Sequence, residues 1–385
     1  MIRILLIGEL YSSNLGDGIL CECAQSLIKQ KIKDVEIDVI DLSLRENYSN
    51  KKEDSLNKKR ILNALKSKLF SIDILYANME FYINSINSKS LQEKIRKKCD
   101  KKYNVAVFAG GQMFMNCFSI PIYYFVEELS SRNIPIIFNS CGVGKTKSMH
   151  ARKKFKKALN NEHVKLISSR DDVDSINKLY LNNCTKKAIK TYDLGLWTKE
   201  TYKIHPKNKD IVGLGVMYLP TIAEEKVIKF WVNIIRELER RNICWKIFCN
   251  GNLKDYQIGK KILAHLSMSE NKLLKRPTEP KELVETISLF KSIISYRLHS
   301  HIIATSLGIP AVAIEWDKKL RFFYKNIEKE QRCLKFNDSP KKIISQLEEA
   351  EKNKYNKQII ENQKVYARDL LIESIIKYAE KGEKT

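Results

Sequence analysis

Apolar positions along this chain fall into short continuous runs, each followed by a longer stretch in which they recur every three or four residues. "RILLIG" (3–8), "VEIDVIDL" (35–42), "NVAVFAGG" (104–111), "IPIIFNSCGVG" (134–144) and "VKLISS" (164–169) read as buried strands. Helical patterns such as "GILCECAQSLIKQ" (18–30) come between them, and the series closes near "TYDLGLW" (191–197). A polar stretch from Thr198 to Asp210, containing Pro206, reads as an interdomain linker. A second alternation follows, with "IVGLGVMY", "ICWKIFCNG", "SIISY" and "PAVAIEW" as strands and "AEEKVIKFWVNIIRELERRN" and "EPKELVETISLFK" as amphipathic helices. Short apolar strands alternating with helices are the signature of parallel, doubly wound α/β sheets. The expected organisation is therefore two Rossmann-like domains, residues 1–200 and 201–338, with C-terminal helices (339–385) packing back across them. Residues 45–102 interrupt the first domain as a lysine-rich insertion, with "ILNALKSKLF" and "ILYANMEFYINSI" as its helices.

Composition narrows the class. The chain has 385 residues, 43% hydrophobic and 30% charged, which suits a globular protein of two domains. No segment is long and apolar enough to span a bilayer, and the apolar run in "MIRILLIGEL" is too short for a signal peptide. Nine cysteines are scattered without a CxxC pair, and Cys141, Cys244 and Cys249 lie in or beside apolar runs, as buried reduced thiols do. A cytoplasmic location is expected. The formal net charge of +24 is concentrated in Lys51–Lys102 and Lys145–Lys165. Such density suits an anionic membrane surface or an anionic substrate, or is a solvated face with no partner. Neither a zinc-finger spacing nor an aromatic RNA-binding strand accompanies it, so nucleic acid is not the expected partner.

In doubly wound sheets ligands bind beyond the carboxyl ends of the strands, and the unusual residues of this chain gather at such turns. "GELYSSNLGDG" offers Asn14, Gly16 and Asp17 before a helix; it is neither a Walker A loop nor a GxGxxG fingerprint. Gly110 and Gly111 follow one strand, Gly142 and Gly144 another, and Arg170 stands in "SSRDDVDS" after a third. Glycines at successive turns are expected to let a ligand approach the backbone, although an Asp- or Asn-capped turn explains any one of them. In "SYRLHSHIIATSLGIP", Arg297, His299 and Ser300 stand where a strand gives way to a helix closed by Gly308. A guanidinium beside a helix N-terminus suits phosphate or carboxylate. His299 and His301, two apart on a helix, point to different faces, which speaks against a shared metal site.

The combination of "NLGD", "AGG", "SSRDDVDS" and "YRLHSHIIATSLGIPAVAIEWDKKLRFF" resembles the polysaccharide pyruvyl transferase family over roughly Met1–Ile327. The resemblance implies two lobes facing a cleft, as in GT-B glycosyltransferases. It also implies transfer of the pyruvyl group of phosphoenolpyruvate to hydroxyls of a sugar in a cell-surface polysaccharide or its lipid-linked precursor, as a ketal. The family's RLH motif falls on Arg297, Leu298 and His299, its N-x-G-D on Asn14, Gly16 and Asp17, and its lysine after the fifth strand of the second domain on Lys318 and Lys319. Gln112 departs from a longer glycine run, and the lysine-rich insertion has no counterpart.

On that footing His299 is the expected acid and Asp17 the base. Arg297, Ser300, Lys318, Gly110 and Gly111 are the expected donor-binding groups, with Asn14, Gly16, Arg170, Gly142 and Gly144 elsewhere in the cleft. Phosphoenolpyruvate enters as a substrate, and neither a metal nor a further cofactor is expected. The expected partners are a glycan acceptor, lipid-linked or free, and peripheral contact with the inner face of the membrane. Two rivals stand beside this reading: a GT-B glycosyltransferase using a nucleotide sugar, and a non-catalytic glycan-binding protein.

Overall fold

The computed structural model describes residues 1–48, 73–86, 88–181, 185–207 and 209–382. The expected helix "ILNALKSKLF" (61–70) lies outside them. The chain divides into two compact units, residues 1–11, 24–192 and 366–385 forming one, and 12–23 and 193–365 the other.

The first unit holds a six-stranded parallel sheet of β1 (Ile2–Gly8), β2 (Val35–Asp41), β3 (Val105–Ala109), β4 (Ile136–Asn139), β5 (Val164–Ser169) and β6 (Ile189–Lys190), in the order β2-β1-β3-β4-β5-β6. Its helices are the C-terminal part of α1 (Leu15–Lys31), α2 (Asp73–Ser85) and α3 (Ser88–Lys98) from the insertion, α4 (Ser119–Ser131), α5 (Met149–Leu159) and α6 (Val173–Tyr180). β3 and β4 are buried at every residue. That burial is why they read as unbroken apolar runs rather than alternating ones.

The second unit begins with α7 (Thr198–Tyr202), β7 (Lys209–Gly215), α8 (Glu224–Arg240), β8 (Trp245–Phe248) and α9 (Leu253–His265). It continues with α10 (Pro280–Ser288), β9 (Phe290–Ser295), α11 (Leu298–Leu307), β10 (Ala311–Glu315), α12 (Lys318–Asn326), β11 (Cys333–Lys335), α13 (Pro340–Lys352) and α14 (Lys357–Gly382). All five strands run parallel in the order β11-β10-β9-β7-β8. The chain steps from β7 to β8 on one side and then returns to β9 on the other, so the sheet's topological switch point lies between β7 and β9. Arg297 and His299 directly follow β9.

The division differs from the sequence-based one in four places. Residues 198–202 form α7 of the second unit rather than a linker, and the chain leaves the first unit after Tyr192. α13 belongs to the second unit, because Ile343, Ile344, Leu347 and Ala350 are fully or nearly fully buried in its core. α14 groups with the second unit up to Val365 and with the first from Tyr366. Finally, the N-terminal turn and the start of α1 (12–23) pack with the second unit: Leu15 N donates to the Asn250 carbonyl at 3.1 Å. The cysteines also need one correction. Cys141 and Cys249 are buried thiols, whereas Cys244 is exposed just ahead of β8.

Candidate active site

The turn at the head of α1 and the start of α11 build one cluster. Gly16 makes the approach possible, since a Cβ there would stand 2.2 Å from Cβ and Cγ of His299 and 2.3 Å from its Nδ1. The sequence assigned that space to a ligand; His299 itself occupies it. Asn14 Nδ2 donates to Asp17 Oδ2 at 3.1 Å and faces His299 Nδ1 at 3.3 Å, while Ser12 Oγ also donates to Asp17 Oδ2 at 3.2 Å. The carboxylate on one side obliges Asn14 to present its NH2, so His299 Nδ1 is the acceptor. In the neutral ring the proton therefore sits on Nε2, the nitrogen 3.9 Å from Asp17 Oδ1. His299 is 7% exposed, hence oriented by its neighbours rather than by solvent.

Arg297 caps α11 from extended backbone, and its amide donates to Ser295 Oγ at 3.1 Å. Its side chain is held by a group that sequence reasoning missed. Nε and Nη2 both reach Asp255 Oδ2, at 2.9 and 2.5 Å, and the other Asp255 oxygen accepts the Tyr218 amide at 2.9 Å. Burial pushes the Asp255 carboxyl up from its ordinary value and the Arg297 charge pulls against it. The guanidinium is thus not an open fork: one edge is committed to a buried carboxylate, leaving Nη1. Asp255 is the third residue of α9, behind the N-cap Asn252, whose side chain accepts from the Lys254 amide. In sequence it reads as an ordinary acid in a helix's first turn.

Ser300 does not join the cluster as a ligand group. It is fully buried, and its hydroxyl donates to Asn250 Oδ1 at 2.8 Å, which ties α11 to the turn after β8. That same turn meets the N-terminal segment through Asn250 O, through Asn252 Nδ2 donating to Ser13 Oγ at 3.3 Å, and through Gly251 (φ +100°), whose Cβ would lie 2.6 Å from Leu15 Cγ. Lys318 begins α12 directly after β10 and is exposed. Trp316 stands at the same strand end, 37% exposed, with its Nε1 donating to the Tyr296 carbonyl at 2.7 Å.

His301 has a different fate. Its Nε2 meets the Ser295 carbonyl at 3.0 Å and its Nδ1 the Tyr324 hydroxyl at 3.0 Å. Complete burial lowers its pKa to about 4, so the ring is neutral and structural. Nε2 then carries the proton for the carbonyl, and Nδ1 faces the Tyr324 hydroxyl, whose single proton also has the Ala311 carbonyl within reach at 3.0 Å.

The remaining expected site residues belong to the first unit. Gly110 and Gly111 turn in the left-handed region (φ +62° and +77°) at the end of β3, beside that sheet's switch point between β1 and β3. Gly142 and Gly144 are filled by the protein itself. A Cβ at 142 would meet the Gly111 carbonyl at 3.0 Å and the Arg170 and Asp171 side chains at 3.2 Å, and one at 144 would meet Met115 Cγ at 2.3 Å. Arg170 is buried, and its neighbour Asp171 accepts from the Val143 amide at 2.9 Å, with its carboxyl pushed up by burial. Asp171 therefore fixes the turn at Gly142–Val143, with the Arg170 guanidinium packed beside it.

The family model for polysaccharide pyruvyl transferase matches residues 14–318, from Asn14 through Lys318. The chain belongs to that family. The match spans the N-x-G-D turn and the RLH motif, whose His299 meets Asn14 and Asp17 in this cluster. No curated protein matches this pyruvyl transferase family member significantly in sequence. Among solved structures it is similar to UDP-GlcNAc 2-epimerase from Methanocaldococcus jannaschii, with 13% identity and a TM-score of 0.59 over 98% of this chain and 100% of that one. The Staphylococcus aureus MnaA–UDP co-structure gives 12% and 0.57 over 99% and 97%. UDP-GlcNAc 2-epimerase from Neisseria meningitidis bound to UDP-GlcNAc gives 13% and 0.55 over 98% and 100%. What this pyruvyl transferase family member shares with them is the fold, two parallel-sheet α/β domains of the GT-B-like class. Among the described residues no helix is long and apolar enough to cross a membrane.

Proposed function

We propose that the protein transfers the pyruvyl group of phosphoenolpyruvate to two hydroxyls of a polysaccharide sugar, free or lipid-linked, as a cyclic ketal. The observation that carries this reading is the seating of His299 between Asn14 and Asp17, on the helix that Arg297 caps. Donor recognition falls to Arg297 Nη1, the amides opening α11 and Lys318, which together offer positive charge to the carboxylate and phosphate. His299 takes up a proton at Nδ1, and the Asn14 amide leaves the ring while keeping its bond to Asp17 Oδ2. The imidazolium gives a proton to the methylene carbon C3, and C2 develops oxocarbenium character. The first sugar hydroxyl bonds to C2 and loses its proton to Asp17. The C2–O bond to phosphate then breaks, inorganic phosphate leaves with the proton that Asp17 took, and the second hydroxyl bonds to C2 and gives its proton to the now neutral His299. General acid catalysis of this kind typically contributes ~10²–10⁴-fold.

The test is incubation with phosphoenolpyruvate and a panel of free and lipid-linked glycans, following phosphate release and the acceptor's mass. Acceptor-dependent release with formation of a pyruvyl ketal is the expected result. Binding of a UDP-sugar with turnover, and indifference to phosphoenolpyruvate, would replace this reading with a glycosyltransferase. Glycan binding that survives Arg297→Ala and His299→Ala, without turnover, would make the protein a glycan-binding one.

A further inference from the structure

The helices of the insertion build a surface that no step of the proposed reaction uses. α2, α3, α4 and α5 share a small satellite core of Phe81, Ile120 and Ala151, with Leu91 and Tyr124 packed against it. Large apolar side chains project from these helices and from the turn after α2 into solvent: Tyr82 is 54% exposed, Ile86 73% and Met149 71%. They lie close together. The Tyr82 hydroxyl is 3.1 Å from Nε2 of His150, the neighbour of Met149, and Ile86 stands four residues beyond Tyr82. α5, "MHARKKFKKAL", contains no acidic residue, and its exposed positions include Arg152, Lys153, Lys156 and Lys157. Lys154 is the exception, half-buried with its ammonium 3.7 Å over the Tyr123 ring. Glu127, from α4, lies 3.7 Å from Lys157 and offsets part of that charge.

We infer that this face docks the protein on an anionic lipid bilayer, the cations meeting headgroups while Tyr82, Ile86 and Met149 enter the interface. The combination selects the occupant. A nucleic acid would engage the lysines and leave Met149 and Ile86 in water, whereas a bilayer interface takes both kinds of group. The inference is independent of the reaction and gives the insertion a role.

Cosedimentation of the full chain with phosphatidylcholine vesicles, with and without phosphatidylglycerol, at low and high salt tests it. Binding is expected only with phosphatidylglycerol and falls steeply as salt shortens the Debye length. The triple change Lys153→Gln, Lys156→Gln, Lys157→Gln lowers partitioning roughly a hundredfold, at about fivefold per basic residue. Met149→Ser with Ile86→Ser lowers it about tenfold or more, from lost apolar burial. Both variants change exposed positions, and unaltered thermal unfolding confirms that they fold. Equal recovery in the supernatant with both vesicle types at low salt would overturn the inference. So would wild-type binding by the Met149/Ile86 variant, which would leave only an unspecific attraction of charge.

Discussion

Gly16→Ala tests the site most directly, because the perturbation is one methyl group and its target is known. The added Cβ would lie 2.2 Å from two carbons of His299, where ordinary contact begins at 3.4 Å, so one partner has to move by about 1.2 Å. His299 has little room to retreat, being 7% exposed. Overpacking of this kind costs about 1–3 kcal/mol, partly offset by the roughly 0.5–1 kcal/mol that alanine gains over glycine within a helix. Overall stability should therefore fall by no more than about 2.5 kcal/mol. Catalysis should shift by more, since a misplacement near 1 Å at the reacting groups costs on the order of 10²-fold, or about 2.7 kcal/mol of barrier. The assay is kcat for acceptor-dependent phosphate release, beside thermal unfolding and the imidazole resonances of His299. Gly308→Ala is the control: it has open space around it but sits at φ +72°, so strain of about 1–2 kcal/mol should lower stability and leave kcat alone. A Gly16→Ala enzyme with kcat within twofold of the parent and unshifted His299 resonances would refute the reasoning.

Other outcomes follow from the same geometry. His299→Asn should abolish most turnover while changing donor affinity little; near-parental kcat would transfer the acid role to another group. Arg297→Lys should weaken donor binding, measured by titration with phosphoenolpyruvate, because an ammonium cannot both hold Asp255 and present a second edge. Asp255→Asn should destabilise the fold by about 3 kcal/mol in urea unfolding, since it leaves a guanidinium 19% exposed without its buried counter-charge; a loss under 1 kcal/mol would count against that pair. His301 should make stability depend on pH. Its folded pKa of about 4 lies below the ordinary 6.5, so the unfolded chain binds the extra proton first. Stability is full above pH 6.5 and falls by about 3 kcal/mol as pH drops to about 4. His301→Gln should flatten that slope in unfolding titrations between pH 4.5 and 7.

The polar and apolar pattern by itself determined much of this protein. Periodicity alone places β1, β3, β4 and β5 and the second series from β7 to β10, because a strand buried on both faces has to be apolar throughout. The same local logic places Gly308, whose αL cap ends α11, and Leu298, buried behind the site. Local sequence could not say which residues fill the space around a glycine. Gly16 and Gly142 read alike, yet one admits His299 from 283 positions away and the other meets Gly111, Arg170 and Asp171. Nor could it find Asp255, since an acid in a helix's first turn is commonplace until Arg297 arrives from the head of α11. Ser300 follows directly on the motif but turns inward to Asn250, three positions beyond the cap, where the turn after β8 offers its hydroxyl an acceptor. Chain-distant partners of this kind are set by the packing of α1, α9 and α11 together, and only the tertiary structure decides them.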